Sequence, residues 1–176
     1  VIDMELQLKD LETVQARAMK IQKAAQTGDK EAVKSQGFYQ KVVTALESGQ
    51  STRAIELDDS EVFMMKELQL LTAKPVLYVC NVDEGAVVKG NAHVESVRKA
   101  AEAEGASVMV IGAAIEADIA ELDTLEERTM FLNDLGLEEA GVAKLIRQAY
   151  KLLDLQTFFT AGEKEVRAWT FRRGYT

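Results

Sequence analysis

Two early segments repeat apolar side chains at intervals of three and four positions. Leu11, Val14, Ala18, Ile21 and Ala25 form one seam; Ala32, Ser35, Tyr39, Val42 and Leu46 form the second. Side chains at that spacing fall on one side of an α-helix. The pattern predicts helices over about 3–26 and 30–47, broken at Thr27-Gly28-Asp29, where glycine suits a left-handed helix end. Two such helices joined by a short turn make an antiparallel hairpin. It either projects as a coiled-coil arm or packs on a globular body. Gly37 weakens the second helix by about 1 kcal/mol relative to Ala.

Residues 48–57 are polar and read as a linker. Asp58, with Glu61 three positions on, has the form of a capping box, and Val62, Met65, Leu68 and Leu71 give the buried stripe of a helix ending near Ala73. Met64 and Met65 read as packing residues. The pattern then changes period. Pro75-Val76-Leu77-Tyr78-Val79-Cys80 is short, continuously apolar and opened by proline, as in a strand buried on both faces. Cys80 within it is expected to be an inert core thiol. A helix over about 92–104 and a second apolar run, Ser107 to Ile111, complete a βαβ unit with parallel strands. Two strands covered on both faces do not make a sheet alone, so the remaining strands are expected from residues outside this sequence. Three helices follow, over about 115–121, 125–135 and 138–153, with Glu116, Asp118 and Glu121 read as a solvated acidic face. Segments 157–160 and 166–171 then flank Ala161-Gly162-Glu163-Lys164 as a hairpin. Arg167, Arg172 and Arg173 with Trp169 and Phe171 are either a surface for stacking RNA bases or an amphipathic strand with solvated charges.

Chemistry concentrates where the two apolar strands end. Asn81-Val82-Asp83-Glu84 follows the first and Gly112-Ala113-Ala114 the second. Ligands of open α/β sheets bind outside the carboxyl ends of strands. An amide and two acids there are either suited to reading a base or sugar or simply a solvated loop, and the small residues either let backbone amides approach a planar ligand or only serve packing.

Composition narrows the partners. A formal charge of −8 over 176 residues repels phosphate backbones and anionic membranes on average, which argues against DNA and membrane partners. No apolar run reaches the roughly 18 residues needed to span a bilayer. One cysteine excludes an internal disulfide, and one cysteine with one histidine argues against a zinc cage built within this chain. The expected compartment is reducing and cytoplasmic.

Three stretches carry a family resemblance: Leu70-Leu71-Thr72-Ala73-Lys74 running through Pro75 to Glu84, Ala113 to Leu122, and Leu155-Gln156-Thr157-Phe158-Phe159-Thr160-Ala161-Gly162-Glu163-Lys164-Glu165-Val166-Arg167-Ala168-Trp169-Thr170. Together they resemble the YchF/Obg-like ATPase family of TRAFAC P-loop NTPases, weakly over the first sixty or so residues. The resemblance implies an α/β fold: part of a Rossmann-like P-loop NTPase sheet, an inserted antiparallel coiled-coil arm, and the start of a β-rich TGS domain. It divides the chain into an arm at 1–50, the C-terminal half of the nucleotide-binding domain at 51–153, and the TGS entry at 154–176.

The resemblance also implies roles. Guanine-specific relatives carry Asn-Lys-x-Asp, whose Asp accepts from the ring N–H and exocyclic amine of guanine. Here Val82 stands for the Lys and Glu84 for the Asp. Adenine offers a ring acceptor instead and lacks the 2-amino group, and unmatched buried polar groups discriminate strongly. Asn81 would bind the base edge, Val82 would meet it through its backbone, Glu84 would shape selectivity, and Ala113 and Ala114 would line the pocket, with ATP favoured and GTP possible. Ribosome association, with ribosomal RNA or protein, would run through the arm and TGS domain. No Gly-x-x-x-x-Gly-Lys-[Ser/Thr] segment occurs, so the phosphates and Mg²⁺ have no cradle here. No residue is assigned a catalytic or metal-binding role, and the chain alone is expected to be inactive. A reading from another class is a non-catalytic coiled-coil module that recruits a protein partner.

Overall fold

A computed structural model describes residues 1–174; the last two positions of the expected 154–176 segment lie outside the described residues. The chain divides into two compact units, Val1–Pro75 and the part beginning at Val76.

In the first unit, α1 (Ile2–Gln26) and α2 (Lys30–Glu47) form the helical hairpin. Gly28 turns the corner at φ +84°, and Asp29 caps α2 by accepting the Ala32 N–H at 3.0 Å. The two seams meet: Val14 and Val42 are wholly buried. Phe38 lies off the expected seam yet is only 2% exposed. The reason is α3 (Asp59–Leu68), whose Met65 and Leu68, with Leu70 beyond it, join Val14, Phe38, Val42, Val43 and Leu46 in one core. A third element widens the buried stripe of α2 beyond a two-helix seam. Asp58 and Glu61 close the capping box at the start of α3. The helix stops at Leu68 rather than near Ala73, because Gln69 takes a left-handed conformation at φ 52° and ψ 38°. The 48–57 stretch is not wholly a linker: Thr52–Ala54 forms a 3-10 turn, and Thr52 is buried.

The second unit opens with β1 (Leu77–Asn81), crosses through α4 (Ala92–Ala103) and returns as β2 (Ser107–Ile111). The strands are parallel, paired from Leu77↔Ser107 to Asn81↔Ile111. One expectation is corrected here. β1 is not buried on both faces: Val79 is 44% exposed and Cys80 is half-buried. Among the described residues β1 has one strand neighbour, β2, so its other edge and part of its faces stay open. Three helices follow: α5 (Ala113–Glu121), α6 (Leu125–Asp134) and α7 (Gly141–Leu152). The chain ends as an antiparallel hairpin of β3 (Leu155–Ala161) and β4 (Val166–Arg172). Tyr150 of α7 lies 3.3 Å from the Thr170 hydroxyl of β4. Strand alternation puts Arg167, Trp169 and Phe171 on one face and Arg172 on the other, while Arg173 turns to Asp154 at 3.7 Å. Of the three arginines, only Arg167 therefore shares a face with Trp169 and Phe171.

Candidate functional site

Parallel pairing in register brings the ends of β1 and β2 side by side, because Asn81 faces Ile111 at the last pair. The chain leaving β1 is tied to that tip: the Val82 N–H donates to the Ile111 carbonyl at 2.9 Å. Asn81 is exposed, and its Oδ1 accepts the Ala113 N–H at 2.9 Å, across 32 residues. Amide geometry then leaves the N–H₂ of Asn81 as the donor available to a ligand. Val82 is half-buried, and Asp83 and Glu84 are exposed as the chain enters a 3-10 turn at Glu84–Ala86. Ala113 and Ala114 are exposed in the first turn of α5. Asn81, Val82 and Ala113 are thus brought into one cluster, with Glu84 on the same loop and Ala114 on the same turn.

Gly112, between β2 and α5, is buried, and a Cβ there would lie 2.9 Å from Ile115 Cδ1. A larger residue there would make the Ile115 side chain shift, close to where the Ala113 amide meets Asn81. An open depression of about 430 Å³ borders the loop, lined by Val79, Asn81, Val82, Asn91, His93 and Val97 among others. Asn91 has a structural task there: its Oδ1 accepts the Val94 N–H at 3.0 Å and caps α4.

Exposed backbone at 113–114 and one side-chain amide are suited to a planar, polar-edged group. Among the described residues no group of three or more His, Cys, Asp or Glu side chains could hold a metal ion.

Glu116 was expected on a solvated face, and the structure corrects this. Its carboxylate accepts the Gly141 N–H at 2.6 Å and the Val142 N–H at 3.1 Å, capping α7. That explains why α7 begins at Gly141 rather than near Glu138: Ala140 offers no side-chain cap, and the first free N–H groups are met by Glu116.

No protein-family model matches the chain. Individual proteins do. The ribosome-binding ATPase YchF of Bacillus subtilis (strain 168) is 46% identical over 175 residues, covering 98% of this chain and 48% of that protein. The ribosome-binding ATPase YchF of Escherichia coli O157:H7 is 46% identical over 176 residues, covering 100% of this chain and 48% of its own length. Among solved structures, the Schizosaccharomyces pombe YchF GTPase superposes with a TM-score of 0.86 at 30% identity, over 99% of this chain and 48% of that one. Over its whole length, in sequence and in fold, the chain is related to the YchF family, and it spans about half the length of those relatives.

Proposed function

We propose that these residues form the base-recognition half and helical arm of a ribosome-associated ATPase that hydrolyses ATP to ADP and phosphate when complete. Asn81 donates from its amide to a ring acceptor of adenine, the Val82 backbone lies along the base, and Ala113 and Ala114 form the opposite wall. Glu84 disfavours GTP by failing to reproduce the fixed carboxylate that guanine needs. ATP and its Mg²⁺ are held at the phosphate end by residues outside this chain, so the chain alone does not turn ATP over. The observation that carries this reading is the Asn81–Ala113 hydrogen bond at 2.9 Å, which joins the two expected halves of the base pocket.

The names of the relatives support a ribosomal partner, which we assign to the 1–50 arm and to the TGS entry at 154–176. Exposed Met19 and Val33 on the arm favour a role in partner contact. No helix among the described residues is long and apolar enough to cross a membrane, in keeping with action on ribosomes in the cytoplasm.

The test compares ATP with GTP by calorimetry in a full-length protein carrying these residues, as wild type and as Asn81→Ala. Weaker ATP binding in the variant, with ATP preferred in the wild type, is expected. Equal affinities for both nucleotides in both proteins would remove this loop from base reading.

A further inference from the structure

We infer that Glu116 is a positioning residue for the base pocket: by clasping the start of α7 it fixes the first turn of α5, which carries Ala113 and Ala114. The inference rests on the base-reading role proposed above and adds a residue that does not itself touch the base.

α5 is short, spanning Ala113–Glu121, and its N-cap residue, Gly112, has no side chain with which to cap it. It is therefore set in place from outside. Ile115 and Ile119, 3% and 7% exposed, bury its inner face. Asn81 takes the Ala113 N–H at one end, and the Glu116 carboxylate reaches the Gly141 and Val142 N–H groups, 25 and 26 positions away. Burial of two isoleucines fixes how deep the helix lies, while the two directional contacts fix its rotation and its slide along the axis. Rotation and slide decide where the amides of residues 113 and 114 point.

A second observation marks the same junction. Gly141 has no room for a side chain: an added Cβ would lie 2.7 Å from Ile111 Cγ1 and 2.8 Å from Glu116 Oε1. Ile111 is the β2 residue paired with Asn81. The start of α7 therefore presses on the strand tip that carries the base loop and on the side chain that orients α5. Glu116 meets α7 as a charged acceptor at a helix N-terminus, where backbone donors and the helix dipole both favour an anion. The same contact closes that end of α7, so the clasp does not leave a second anion site.

The test uses a full-length protein carrying these residues, with Glu116→Gln, Glu116→Ala, Gly141→Ala and Asn81→Ala measured in parallel. Glu116→Gln keeps one acceptor and the shape. Gly141→Ala leaves the charge intact and pushes on the carboxylate from the other side. We expect Glu116→Ala and Gly141→Ala each to weaken ATP binding roughly three- to tenfold, with Glu116→Gln falling between them and wild type. The change should fall on KM rather than kcat, and the ATP-to-GTP preference should narrow, which a general loss of folded protein would not produce. If Glu116→Ala does not fold, Gly141→Ala and Glu116→Gln carry the comparison. ATP affinity and preference unchanged in the Glu116 and Gly141 variants, while Asn81→Ala is weakened, would overturn the positioning role and leave the base-reading loop standing. An unaffected Asn81→Ala would overturn both.

Discussion

Asp10 and Thr72 meet through one carboxylate oxygen: Asp10 Oδ2 accepts both the N–H and the hydroxyl of Thr72, each at 2.7 Å. The other oxygen takes the Leu71 N–H at 2.8 Å, and Thr72 Oγ1 lies 2.9 Å from the Thr52 hydroxyl. All three side chains are buried, at 1–2% exposure. A buried carboxylate persists where its acceptor sites are filled. Here it fastens α1 to the end of the segment that follows α3. Removing it leaves the buried Thr72 N–H and the part-buried Leu71 N–H without their acceptor. Asp10→Ala is expected to destabilise the first unit by about 1–3 kcal/mol, the usual penalty for one buried donor left unpaired. Urea unfolding followed by circular dichroism checks it; a loss under about 1 kcal/mol would mean that water replaces the carboxylate.

Acid should weaken the N-terminal cap of α3. The Ser60 hydroxyl, then the Glu61 N–H, hold the Asp58 carboxyl below its ordinary value of 3.8. Lys41, then the Asp58 N–H, hold Glu61 below its ordinary 4.5. Both folded values are depressed, so the carboxylates stabilise the folded state fully above about pH 4.5. That contribution fades as pH falls through the lowered values, below 3.8 for Asp58. Asp58→Asn keeps a capping oxygen but has no charge to lose. The expected result is a smaller drop in thermal midpoint between pH 6 and pH 3 for the variant than for wild type; parallel pH curves would remove the cap from the acid response.

Local pattern made much of the fold legible. The α2 seam gave both ends of Lys30–Glu47, and a run of β-branched and long apolar side chains gave Ser107–Ile111. Both depend on neighbours within the segment. The end of α3 was hidden because Gln69, not a glycine, takes the left-handed position. Asp10 and Glu116 were hidden for another reason. Each meets backbone N–H groups 61–62 and 25–26 positions away, and every non-proline residue offers that donor, so no side-chain pattern marks the partner. The loop at Asn81 was visible because the change from apolar Cys80 to polar Asn81 marks a strand end. Its partner Ala113 was visible only as a small residue at the end of another strand.

Asn81 has two tasks that a single substitution separates. Its oxygen holds Ala113, and its amine is proposed to serve the base. Asn81→Asp keeps the oxygen that accepts from Ala113 and removes the donor. Thermal stability should stay within about 0.5 kcal/mol of wild type, while ATP affinity in the full-length protein falls by roughly tenfold, the worth of one well-placed hydrogen bond. Calorimetry and a melting curve on one preparation give both numbers. A destabilised variant with unchanged ATP affinity would make Asn81 a structural residue only.

Aromatic side chains should differ sharply in cost by unit. Phe38 is 2% exposed and packs in the core shared by α1, α2 and α3, whereas Phe159 is 71% exposed on β3. Phe38→Ala is expected to cost about 3–5 kcal/mol, and Phe159→Ala to stay within about 0.5 kcal/mol. Chemical denaturation of this chain decides it; a large loss for Phe159→Ala would show that the hairpin buries that ring in solution.

The reach of the arm can be tested without disturbing its base. α3 and the residues after it pack on Val14, Phe38, Val42, Val43 and Leu46, and Lys41 bonds Glu61 at 2.7 Å. Ser35 approaches the Met64 sulfur at 3.8 Å, which marks how far that packing extends along α2. Residues 22–34 lie beyond it and bury only the small side chains Ala25 and Ala32. Deleting 22–34 and joining Ile21 to Ser35 through a short glycine-containing turn keeps the lower seam and the Asp10 fastening. Removing a longer stretch, down to Leu11 and Leu46, would strip the core from α3 and confuse loss of contact with loss of fold. The trimmed full-length protein should bind ATP as wild type does and cosediment less with ribosomes. Undiminished cosedimentation would move the ribosomal contact away from the arm tip, and lost ATP binding in a folded variant would end the view of the tip as a separate contact element.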